Sequence, residues 1–188
     1  MEPKRTSPNS WQASLNRLLE QLLARPNKPP RIAVLGIGNP LRSDDAAGVL
    51  VARGLAKARL RRAPDSLLVI DAGHAPENRT AELRRFAADL VLLIDAAELG
   101  EEPGGIRRVE IDEIDGMSAS THTLPLSMLA KYLTLELGCE IYILGIQPRS
   151  TAFDGLVSAE VIQAVQEIVE ELAKSLSVFP AQEITCLN

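Results

Sequence analysis

Hydrophobic positions along this chain follow two alternating rhythms. Residues 32–37 (Ile-Ala-Val-Leu-Gly-Ile) are an unbroken apolar run, which predicts a strand buried on both faces, and Gly38-Asn39-Pro40 ends it. A helical pattern follows over 45–60. Further strands are predicted at 67–71 and at 90–95, where Leu-Val-Leu-Leu-Ile is closed by Asp95. Between them lies a helix over 77–87. Residues 106–111 alternate, imperfectly, between apolar and charged side chains, the pattern of an exposed edge strand. A helix over 125–137 with Pro125 in its first turn, a fifth strand over 141–146 and a long helix over 158–177 complete the series. In that last helix Val161, Ile162, Val165, Ile168, Val169 and Leu172 keep the 3.6-residue period. Strands alternating with helices predict an α/β protein: a three-layer α/β/α sandwich around a mostly parallel sheet.

The alternation begins only at Arg31. Before it, Ser10 is placed to cap a helix that carries Trp11, Leu15, Leu18, Leu19 and Leu22 on one face, and Pro26, Pro29 and Pro30 separate that helix from the first strand. The chain therefore divides into an N-terminal extension (1–30), a main domain (31–179) and a loose tail (180–188). The apolar stripe of the extension has to be buried on the domain, on a second copy or on a partner. A chain cut to begin at residue 31 is expected to keep a folded core.

Composition narrows the function classes. Hydrophobic residues make up 46% of the 188, enough for a core, while aromatics are 3%, so that core is built of Leu, Ile, Val and Ala. The net charge of −5 argues against a nucleic-acid surface. Cys139 and Cys186 form no metal or disulfide pattern and read as free thiols. No secretory signal is visible behind Met1, and no apolar run approaches the ~20 residues of a membrane span. A soluble, cytoplasmic protein is expected.

Candidate chemistry gathers where strands hand over to helices, the edge at which open α/β sheets bind ligands. Asp44 and Asp45 stand at the mouth of the second helix. One acid suffices to cap a helix, and two like charges in one turn repel. Asp44 is the better cap and Asp45 the better site residue. Asp71 and Asp95 each end an apolar strand, and a carboxylate at the end of a fully apolar strand such as that of Asp95 demands a cap, a partner or a metal. His122 precedes the helix at 125–137. With Asp45 and Asp95 it completes two carboxylates and one imidazole, a set suited to Zn, Fe or Ni. His74 lies in the polar loop after Asp71 and reads as lining that loop. Gly36-Ile-Gly-Asn-Pro-Leu is neither G-x-G-x-x-G nor a Walker sequence, so nucleotide binding is disfavoured.

Five segments occur in one order: Gly36-x-Gly-Asn-x-Leu-x-x-Asp-Asp-x-x-Gly, Ile70-Asp-Ala-Gly-His-Ala-Pro-Glu-Asn, Ile94-Asp-Ala-Ala-Glu-Leu-Gly, Thr121-His-Thr-Leu-Pro-Leu and Leu144-Gly-Ile-Gln-Pro. Together, over residues 31–176, they resemble the hydrogenase maturation proteases, and most closely the branch that acts on hydrogenase 3-type large subunits. The resemblance implies a phosphorylase/hydrolase-like fold with a five-stranded mixed sheet of order 2-1-3-5-4, strand four antiparallel. It implies an aspartyl-type endopeptidase that removes the C-terminal extension of a [NiFe]-hydrogenase large-subunit precursor after nickel insertion. It implies metal contacts at Asp45, Asp95 and His122, with Asp71 beside them in the catalytic set. No tightly bound cofactor is expected. The nickel belongs to the substrate, although a divalent metal can occupy the site. The family has Gly after the acidic pair where this chain has Ala46, a substitution that suits a helical backbone and penalises a positive φ.

Two other readings compete. Peptidyl-tRNA hydrolase also begins Gly-x-Gly-Asn-Pro, but it needs an early His-Asn pair, and no His precedes His74 here. A non-catalytic nickel-checking protein or metallochaperone for the same precursor would use the same three ligands. The chain offers no Ser or Cys nucleophile with a His partner.

Overall fold

The computed structural model describes residues 10–26, 29–58, 66–113 and 125–177. Five strands, β1 (Ile32–Ile37), β2 (Leu67–Gly73), β3 (Leu90–Ala96), β4 (Ile106–Val109) and β5 (Glu140–Ile146), form one sheet. Its order is β2-β1-β3-β5-β4. β1 pairs in parallel with β2 and β3, β3 pairs in parallel with β5, and β4 runs antiparallel along β5 at the edge. The topology that the resemblance implied is therefore the observed one. β4 is shorter than the alternating pattern predicted: it stops at Val109, and Ile111–Glu113 turn into a 3-10 helix.

Helices α1 (Trp11–Leu23), α2 (Ala47–Lys57) and α5 (Ala159–Ser177) cover one face of the sheet, and α3 (Thr80–Phe86) and α4 (Leu126–Leu137) the other. The first face buries Ile32, Val34, Leu90, Leu92 and Leu144; the second takes the alternate residues Ala33, Leu35, Val91, Leu93 and Ile143. Both faces being covered is the reason β1 is apolar throughout and β3 is apolar everywhere except at Asp95.

The stripe of α1 lies on this domain. Trp11, Leu15, Leu19 and Leu22 are buried in the same cluster as Ile32, Tyr142 and Leu172. Ser10 caps the helix, accepting the Ala13 N–H at 3.2 Å, as the sequence predicted. Tyr142 on β5 ties the helix down: its hydroxyl donates to the Trp11 carbonyl at 2.7 Å and shares a hydrogen bond with Ser14 Oγ at 2.6 Å. The two halves of the extension are thus a proline-bearing connection and a helix that supplies part of the core. Pro125 sits one residue before α4, as its N-cap.

Candidate active site

The carboxyl ends of β1 and β3 lie side by side, with Gly36 opposite Ile94. α2 begins directly on top of them. A Cβ on Gly48, in its first turn, would stand 2.0 Å from the Ile94 carbonyl oxygen and 2.4 Å from that of Ile37. Only glycine lets the helix start so close to both strands. Gly38, at φ +133°, leaves β1 in a conformation open to glycine, and a Cβ there would meet the Asp45 carbonyl oxygen at 1.7 Å. The glycines of the first motif therefore press the acidic turn onto the sheet edge; no phosphate cradle is needed to explain them.

That turn is the 3-10 helix Ser43–Ala46, and all four of its residues are buried. Asp45 is 1% exposed, and its Oδ2 accepts the Asn39 N–H at 3.0 Å. Asp95, next to last in β3, is 3% exposed, and its Oδ1 accepts the Ala96 N–H at 2.9 Å. Two carboxylates are thus buried at one edge of the sheet. His122, the third member of the predicted set, lies outside the described residues. Among the described residues no three His, Cys, Asp or Glu side chains are grouped to hold a metal ion.

Asp44 departs from its expected role. No side chain caps its own turn. The buried carboxylate reaches across to the segment after β5 instead. It accepts the N–H groups of Arg149 (2.8 Å), Ser150 (3.2 Å) and Ser158 (2.6 Å), and the Ser158 hydroxyl at 3.0 Å. It is a cap, but for the loop that leads into α5. Ser43, at φ +48°, turns the chain into this position, and its hydroxyl donates to the Leu156 carbonyl at 2.7 Å.

Asp71 points elsewhere. In β2, Leu67 and Val69 pack with the cluster of α1, α2 and α5, and Ile70 and Ala72 with the cluster of α3 and α4. By this alternation Asp71 faces α2, where it pairs with Arg53 at 2.8 Å and also accepts the Gly73 N–H at 3.2 Å. Asp95 alternates with Ile94 and so faces the opposite side of the sheet. Asp71, two residues before the end of β2, and Asp95 share an edge of the sheet but not a face. His74 is exposed in the loop after β2.

Cys139 is excluded as a nucleophile. Burial pushes its thiol up to about 11, and the sulfur donates to the Leu133 carbonyl at 3.7 Å. Cys186 lies outside the described residues. Gln147, part of the Gly-Ile-Gln-Pro segment, has a role its sequence context did not disclose. Its Oε1 accepts the Leu99 N–H at 2.7 Å and its Nε2 donates to Glu98 at 3.0 Å, which pins the loop after β3 to the end of β5.

With this geometry in place, the chain can be set against known proteins. The sequence profile for hydrogenase maturation protease matches residues 49–175. The hydrogenase 3 maturation protease of Escherichia coli K12 is 34% identical over 140 residues, which are 74% of this chain and 86% of that protein. The chain belongs to the hydrogenase maturation protease family. Solved structures in the family agree. The crystal structure of the maturation protease HycI from Thermococcus kodakarensis is 33% identical and superposes with a TM-score of 0.72, covering 85% of this chain and 98% of that one. The solution structure of the endopeptidase HycI from Escherichia coli is 31% identical with a TM-score of 0.69, covering 82% and 98%. The reaction class is therefore that of an endopeptidase in hydrogenase maturation. Ala46, which follows the acidic pair, has φ −71° and ψ −10°, a helical backbone that alanine adopts without strain.

Proposed function

We propose that this chain cuts the C-terminal extension from the precursor of a [NiFe]-hydrogenase large subunit once nickel is in place. Asp45, Asp95 and His122 read the precursor's nickel and align the scissile peptide. The observation that carries this reading is two buried carboxylates at one edge of the sheet: Asp45 in the turn that follows β1, and Asp95 at the end of the neighbouring β3. A dry anionic pair at the carboxyl edge of the sheet suits a divalent cation delivered by the substrate. Neither acid needs a partner nucleophile from this chain. Water polarised by the substrate's nickel adds to the scissile carbonyl carbon as a carboxylate takes its proton, and the peptide C–N bond breaks as that proton passes to the leaving amine. The turn at Ser43–Ala46 adds the positive end of the following helix beside these charges. Among the described residues no helix is long and apolar enough to cross a membrane.

The test is incubation with nickel-loaded and nickel-free precursor, followed by intact-mass spectrometry. Loss of the C-terminal peptide from the nickel-loaded form alone is expected. Tight binding of the loaded precursor with no loss of mass would identify a nickel-checking protein instead. Cleavage of both forms alike would remove nickel from the recognition step.

A further inference from the structure

Beside the two buried acids the protein exposes an apolar rim held by a rigid frame. Leu41 is 65% exposed, Phe153 63% and Leu156 93%. They come from two loops laced together: Asp154 N–H donates to the Leu41 carbonyl at 3.0 Å, and Ser43 Oγ donates to the Leu156 carbonyl. Asp44, one residue further on, clamps the same second loop at both of its ends. Large apolar side chains held in water on well-anchored loops shape this rim for a partner.

A cation stands in the middle of it. The Arg42 guanidinium lies 4.6 Å from the centre of the Phe153 ring. Its Nε is shielded from solvent and makes no hydrogen bond, and among the described residues no carboxylate pairs with Arg42. This sets it apart from Arg25, Arg53, Arg79, Arg84, Arg108 and Arg149, each of which pairs with an acid. An arginine stacked on an exposed aromatic ring, with no acid beside it among the described residues and apolar groups around it, suits a segment that brings both a carboxylate and an apolar side chain.

We infer that Arg42 and Phe153 are specificity-determining residues: they receive an acidic, partly apolar segment of the hydrogenase precursor next to the bond that is cut. This rests on the proposed function. The occupant follows from place and charge. Arg42 is three residues from Asp45, so a peptide crossing the rim continues toward the buried carboxylates, and a guanidinium with no acid beside it among the described residues complements an acidic segment.

The experiment compares wild type, Arg42→Glu, Arg42→Gln and Phe153→Ala on the nickel-loaded precursor, with binding measured by calorimetry and folding by thermal unfolding. Arg42→Glu should raise KM about tenfold with kcat held within about twofold, and Phe153→Ala should raise it about fivefold. Changing one precursor acid near the cut to Lys should restore binding to Arg42→Glu. An unchanged KM and affinity for both Arg42 variants, or a fall in kcat with KM unchanged, would overturn the inference. If wild type binds the precursor but does not cut it, the proposed reaction fails while the Arg42 comparison is still read from affinity. If wild type neither binds nor cuts, both fail.

Discussion

Asp44 and Ser158 are 114 residues apart and share two hydrogen bonds, one from the Ser158 N–H at 2.6 Å and one from its hydroxyl at 3.0 Å. Through this contact the turn after β1 fixes both the start of α5 and the loop that carries Phe153. The carboxylate has no free side: its remaining acceptor capacity takes the N–H groups of Arg149 and Ser150. Asp44→Asn replaces one acceptor oxygen by a donor facing other donors. It should lower stability by about 2 kcal/mol or more, above the ~1 kcal/mol of an ordinary helix cap. Urea unfolding, read as a shift in midpoint at constant slope, checks this.

Asp95 and Asp71 offer a controlled contrast. Both lie near the carboxyl ends of their strands, yet Asp95 is buried on one face and Asp71 is half exposed in an ion pair with Arg53 on the other. Asp95→Asn should reduce precursor cleavage by about a hundredfold or more, as loss of an anionic metal contact does. Asp71→Asn should stay within about threefold and cost no more than ~1 kcal/mol, the worth of a surface pair. Steady-state cleavage of the same precursor by both variants decides. Equal losses would place Asp71 back in the chemistry.

The N-terminal helix should prove integral to folding. Trp11, Leu15, Leu19 and Leu22 are each at most 6% exposed. Their burial is worth on the order of 6–12 kcal/mol together, against a typical total of about 5–15 kcal/mol. Deleting residues 1–30 is therefore expected to abolish the cooperative thermal transition, the reverse of what the late onset of strand–helix alternation led one to expect. A milder probe is Tyr142→Phe, which removes the hydroxyl bridging Ser14 and Trp11 and should cost about 1 kcal/mol. Paired with Ser14→Ala in a double-mutant cycle, it should show coupling, because the two hydroxyls touch at 2.6 Å.

Cys139 gives the pH signature. Burial holds its thiol near 11 in the folded protein, against 9.0 for the free side chain, and burial also raises Tyr142 from 10.0. In both cases the folded state keeps a proton that the unfolded chain releases, so stability is full below about pH 9 and falls as pH rises from there through 11. Denaturant midpoints measured across that range should decline, and Cys139→Ala should flatten the lower part of the decline. Native Cys139 should also resist alkylation near pH 8 until the protein is unfolded.

The layers, the strand order through the family motifs, and the acids at the sheet edge were all legible in the chain's local pattern. These follow from short-range rules: an apolar run such as 32–37 has to be buried on both faces, and an acid that closes such a run has to emerge at its end. The glycines at 38 and 48 marked the turn, although only the approach of Asp45, Ile37 and Ile94 showed why a Cβ is forbidden there. Tertiary structure alone decided partners distant in sequence. Which face Asp71 and Asp95 take depends on register, and a shift of one residue reverses it. Asp44 found its donors more than a hundred residues away, at Arg149, Ser150 and Ser158. The stripe of α1 found the sheet and Tyr142, and Arg42 found Phe153. Local pattern carries the period of an element and the place where it stops; which groups meet across the chain is set by how the layers close, and no window of sequence contains that.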